Sequence, residues 1–156
     1  MRGSIQDLAA ILGLLFGMGI TIYIVIMVMN GFTTGWVAAG HDPTPLNQAH
    51  AAYGLFDGAM VLVLTFLIAI IVIGAFYVYA HPIFLVPYIM GLLVLMLVVP
   101  QFSNIWTIFS SNAAFAEINS MFPIFNKIMD NLPTLILMIG ILVGAVLYGK
   151  PQSRTL

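Results

Sequence analysis

Apolar residues run through this chain in blocks too long for a water-soluble fold. From Leu8 to Met29 every residue is uncharged and most are aliphatic, until Asn30-Gly31 interrupts the run. A second block extends from Leu55 to Ala80, where His81-Pro82 breaks it, because proline disfavours helix in the residue before it. A third starts at Ile83, meets Pro100, and is expected to continue as a kinked helix through Trp106. The fourth begins at Leu132, with Pro133 suited to a first helical turn and Gly149-Lys150-Pro151 to a stop. A helix crossing about 30 Å of hydrocarbon needs about 20 mainly apolar residues. Strands of a membrane barrel would alternate apolar and polar positions, which Leu62-Val63-Leu64 and Leu92-Leu93-Val94-Leu95 do not.

These blocks predict an all-α integral membrane protein, a single membrane domain over 1–156. Its four transmembrane helices are expected at about 8–29, 55–80, 83–107 and 132–149. The first block is longer than the apolar core of a cleavable signal, so it is expected to remain as a permanent span. Two connections, 30–54 and 110–131, then fall on the same face. The first is rich in Gly, Thr and Pro, with a turn at Asp42-Pro43-Thr44-Pro45 and then a short helix expected from Asn47 that runs directly into the second span. In the second, Phe115, Ile118, Phe122, Phe125, Met129 and Leu132 recur at spacings of three and four, among Glu117, Asn119, Asn126, Lys127 and Asp130. That stripe predicts an interfacial amphipathic helix bent at Pro123, lying in the interface plane or on the end of the bundle. It also offers a docking face for another subunit.

Composition and charge sharpen this picture. The chain is 62% hydrophobic and 6% charged, with no Lys or Arg between Arg2 and Lys127. A soluble domain carries roughly a quarter charged residues. With an even number of spans the termini share a side, which holds Arg2, Lys150 and Arg154 against Lys127 on the other. The positive-inside rule therefore puts both termini of this multi-pass chain on the cytoplasmic or equivalent side. A net charge of −1 gives no electrostatic case for nucleic acid. Cysteine is absent, which removes thiolate metal sites and thiol nucleophiles.

Small residues mark the places where helices can approach closely in lipid. Ala9, Gly13, Gly17 and Thr21 form a ladder of strict four-residue spacing on the first span, and Gly140 and Gly144 repeat it on the fourth. Packing within the bundle is the first expectation for both, and contact with a neighbouring protein the second.

Ionisable groups inside a membrane are costly and usually functional, and this chain nearly lacks them. Asp57, about one turn into the second expected span, reads as an acid held by that helix's own N-terminal dipole. His41, His50 and Asp57 share one face, and two imidazoles with a carboxylate can bind zinc, copper or iron. Their spacing matches no compact ligand motif, so neither metal nor cofactor is expected. Small multidrug exporters carry an embedded acid in the first of four spans, whereas here none lies between Asp7 and Asn30. No catalytic triad or phosphate loop is present either.

The expected role is non-catalytic. It is that of a structural or scaffolding subunit of a larger membrane assembly, either an accessory subunit of a membrane complex or a protein of a virion's internal membrane. The expected partners are the lipid bilayer, other membrane subunits or further copies of the chain, and a protein layer on the side of residues 30–57 and 110–131. An oligomeric pore or holin-type lysis protein is the alternative. A subunit contributing a His/Asp metal or substrate site ranks third.

Overall fold

The structure is a computed structural model describing residues 5–78 and 80–149, and every regular element among them is helical. Four helices dominate: α1 (Ile5–Ala38), α2 (Thr44–Tyr77), α3 (Leu85–Ser110) and α6 (Leu132–Tyr148). Between α3 and α6 lie two short ones, α4 (Ala116–Met121) and α5 (Pro123–Asp130). Single 3-10 turns lead into α3 at Pro82–Phe84 and into α4 at Ala113–Phe115. Three stretches, Gln6–Ala38, Thr44–Tyr77 and Pro82–Ser110, are long and apolar enough to cross a membrane. The pair α5 and α6, bent by 71°, supplies a fourth if taken as one broken span. Arg2, Lys150, Pro151 and Arg154, on which the expected orientation and the final stop rest, lie outside the described residues.

The first connection differs most from expectation. Asn30-Gly31 does not end α1, since a single glycine costs a helix only about 1 kcal/mol. The Thr33 and Thr34 hydroxyls donate to the carbonyls of Met29 and Asn30, which keeps those polar groups satisfied within the helix. The stop comes at Gly40, which takes a positive φ of 81°. Its N–H bonds to Val37 O at 3.0 Å, and His41 N bonds to Trp36 O at 3.3 Å. This is the paired closure of a helix ended by a left-handed glycine. Asp42 Oδ1 then accepts from Thr44 N at 2.9 Å and from Thr44 Oγ1 at 2.7 Å, and α2 starts with Pro45 in its first turn. The connection expected over 30–54 is thus a helical hairpin whose only non-helical residues are 39–43, and the helix expected from Asn47 is the continuous start of α2.

Helix α3 runs through Pro100 to Ser110 without a break. It packs along α6, α6 lies against α2, and α1 lies against α3. The outer surface of these helices is strongly apolar: Val28 is 64% exposed, Ile70 63% and Leu97 75%. From Met27 to Phe56 no residue is fully buried, so the α1–α2 hairpin stands beyond the packed part of the bundle.

The second connection follows one of its two expected placements. The chain does break at Pro123 as expected, but into two helices whose apolar stripe faces inward. Ile118, Phe122, Phe125 and Met129 are each at most 1% exposed, and Phe115 is half-buried. The stripe is therefore packed on the bundle itself, the second of the two expected placements, and is not free as a docking face. Phe125 meets Trp106 edge to face at 5.2 Å, and Tyr23 meets Trp106 likewise at 5.2 Å. Trp106 itself is completely buried. Such aromatic pairs add about 0.5–1.5 kcal/mol beyond the area they bury.

Candidate functional site

The polar groups gathered around α5 form the most organised constellation in the molecule. A short helix away from water leaves its first N–H and last C=O groups without intrahelical partners. In α5 the first position is Pro123, which has no N–H to satisfy. The next two donors meet Asp57 of α2: Ile124 N donates to Oδ2 at 3.0 Å and Phe125 N to Oδ1 at 2.8 Å. Asn126 N returns to Phe122 O at 3.0 Å. Asp57, 5% exposed, is thus the N-terminal cap of α5, supplied from a different helix. It lies well past the first turn of α2, which begins at Thr44. The dipole that faces its charge is therefore that of α5, not that of its own helix as expected.

The other end of α5 is closed from α3. Ser103 Oγ lies 2.9 Å from both Met129 O and Asp130 O. Thr107 Oγ1 donates to Asp130 Oδ1 at 3.0 Å, and Asn131 Nδ2 donates to Lys127 O at 2.8 Å. The middle is tied to α1: the Tyr23 hydroxyl lies 3.0 Å from Asn119 Oδ1 and 2.9 Å from Asn126 Oδ1. Trp106 Nε1 donates to Asn126 Oδ1 at 3.2 Å, while Asn126 Nδ2 bonds to Asn119 O and Oδ1. Non-helical backbone among apolar helices survives only where protein groups satisfy it. Asp57 of α2 and Ser103 of α3 do this for the backbone of α5, and Asn126 does it for the Asn119 carbonyl of α4.

The close approach of α1 runs through Gly19. A Cβ there would stand 2.7 Å from the Phe125 ring and 2.8 Å from Trp106. The sequence ladder lies elsewhere: Ala9, Gly13, Gly17 and Thr21 are all exposed, and no atom lies within 4 Å of a Cβ built on Gly13 or Gly17. Gly13, Gly17 and Thr21, with Leu14, Met18 and Ile22, line a shallow groove on the outside of α1. The expectation that this ladder packs within the bundle is therefore corrected. Gly140 and Gly144 do pack internally, against Leu92 and Tyr88, and the Tyr88 hydroxyl donates to Gly140 O at 2.6 Å.

No family model, curated protein or solved structure matches this chain. Its function must be read from the geometry alone.

The metal candidates are not brought together. His41 is exposed at the hairpin turn and stacks on Trp36 at 4.3 Å. His50, on α2, lies beside Tyr53 at 5.2 Å. Asp57 is occupied by two backbone N–H groups. Among the described residues no cluster of three or more His, Asp or Glu is placed to hold a metal. At the turn, the Thr44 hydroxyl and then its amide hold the Asp42 carboxyl below the usual carboxylate range.

Ser103, Trp106, Tyr23, Asn119 and Asn126 were not singled out by the sequence. Their one signal is a polar atom within or beside an apolar run, which does not say where its partner lies.

Proposed function

We propose that this chain is a multi-pass integral membrane protein with four spans, the last one broken between α5 and α6, and that it serves as a non-catalytic structural subunit of a larger membrane assembly. The observation carrying this reading is the employment of Asp57. Apart from Asp7 in the first turn of α1, it is the one acid in α1, α2, α3 and α6, and both its oxygens are committed to the backbone of α5. A carboxylate whose two oxygens both accept from a neighbouring helix's backbone builds architecture.

Two further features support a role in assembly. Helices of 34 residues, such as α1 and α2, are about 50 Å long at 1.5 Å per residue, against about 30 Å of hydrocarbon. The hairpin that joins them therefore reaches beyond the bilayer on the side opposite the termini and presents Trp36, His41 and Asp42 to a protein layer there. The ladder Ala9, Gly13, Gly17 and Thr21 faces outward, where a neighbouring membrane helix can approach closely. The same outward ladder is what an oligomeric pore would use, and this is the second reading.

Membrane fractionation followed by extraction in mild detergent separates the two. A structural subunit floats with vesicles, resists carbonate extraction, co-purifies with a larger complex and leaves dye-loaded vesicles sealed. Rapid dye release on reconstitution would support the pore and overturn the structural reading.

A further inference from the structure

Near the ends of α1 and α6 that lie furthest from the hairpin, α1, α2 and α6 diverge and leave a crevice of about 490 Å3. Ala10 and Leu14 of α1, Leu67 and Gly74 of α2, and Val143 of α6 contribute to its walls. Asp7, in the first turn of α1, and Val78, just past the end of α2, mark one end, while Leu14 and Leu67 mark the other. Asp7 is the only polar side chain among the described lining residues.

Three physical points bear on what fills this space. Water needs two to four polar partners to occupy a cavity, and the walls beyond Asp7 offer none from their side chains. Left empty, the lining would forfeit its dispersion contacts. The dimensions fit a third kind of occupant. From Leu67 to Val78 the crevice follows α2 for about 16 Å at 1.5 Å per residue, close to half of about 30 Å of hydrocarbon, which is one leaflet. It runs along the helix axes from a helix end towards the middle, as an acyl chain lies in a leaflet.

We propose that the crevice binds one acyl chain of a phospholipid from the leaflet on the side of the chain's termini. The headgroup lies beside Asp7, whose carboxylate favours an ammonium-bearing head over a purely anionic one. Gly74 keeps the channel open: nothing stands within 4 Å of a Cβ there, so a side chain at this position starts into the crevice without a clash at its root. This inference rests on the membrane reading above.

The test uses the full chain in vesicles of mixed phosphatidylcholine and phosphatidylglycerol, transferred to mild detergent for native mass spectrometry. The wild type should retain one phospholipid per chain, predominantly phosphatidylcholine. Gly74→Phe and Ala10→Phe should each lose it, with melting temperatures in detergent unchanged within a few degrees. Asp7→Asn should retain one lipid but lose the headgroup preference. A chain that floats with the vesicles yet retains no lipid overturns this inference alone, as do filled variants that retain it like the wild type, or a lipid-free dimer. A chain that does not float overturns the membrane reading itself. Retention of either lipid equally by the wild type overturns the role given to Asp7.

Discussion

The carboxylate of Asp57 and the amide of Phe125 meet at 2.8 Å across 68 residues of sequence, with neither group open to solvent. Through this contact and its companion at Ile124, α2 starts a helix to which it is not joined. Ser103 ends the same helix from α3. Helix α5 is thereby clamped at both ends by polar groups from the bundle it fills.

Removing the first clamp should cost stability in proportion to the donors it strands. Asp57→Ala leaves the buried Phe125 N–H and the part-buried Ile124 N–H unpaired and is expected to destabilise the fold by about 2–4 kcal/mol. Asp57→Asn keeps one acceptor oxygen and should lose less. Denaturation in mixed detergent measures both, and amide exchange at Ile124 and Phe125 should accelerate first. Unchanged exchange at those two amides would rule out the cap.

The second clamp makes a coupled prediction. Ser103→Ala removes the one hydroxyl donor shared between the Met129 and Asp130 carbonyls and should cost about 1 kcal/mol. Because Ser103 and Asp57 hold opposite ends of α5, the double variant should lose less than the sum of the single losses, since α5 can detach only once. Strict additivity would mean that α5 is not a single unit.

The two glycines of the GMG sequence should behave in opposite ways. Gly19→Leu drives a side chain into Phe125 and Trp106 and should destabilise by about 1–3 kcal/mol or more, with a shift in Trp106 fluorescence. Gly17→Leu meets nothing and should leave chain stability unchanged while weakening association with a neighbouring membrane protein. Equal effects on stability would overturn the assignment of faces on α1.

At the hairpin turn, the lowered Asp42 carboxyl gives a pH prediction. A carboxyl whose folded pKa is depressed contributes stability above its unfolded value of about 3.9, and that contribution fades as pH falls through the folded value. The turn should therefore hold at neutral pH and loosen only in strong acid. Thr44→Val removes the largest cause and should raise the Asp42 midpoint, read by carbon NMR titration of the side chain.

The positions of the long helices were legible because an unbroken apolar run of spanning length has few other uses. The break at Pro123 and the three-and-four stripe from Phe115 to Met129 were legible too, since a proline and an amphipathic period are local signals. The end of α1 was misplaced because Asn30-Gly31 looks like a stop, although two threonines that bond back into the helix let it continue to a better one at Gly40.

Which way each helix faces was not legible. On α1, the Gly17 ladder and Gly19 lie on different faces of a helix that is apolar all round. Hydrocarbon and protein interior are equally apolar, so no periodicity separates the stripe that packs from the stripe that meets lipid. By itself the sequence determined that the chain is a set of long apolar helices with almost no ionisable groups among them. Only the tertiary structure decided that Asp57 caps a helix 67 residues away, that the amphipathic stripe turns inward, and that the small-residue ladder stays outside. Those outcomes depend on shape complementarity and on pairing between distant polar groups, which no local pattern encodes.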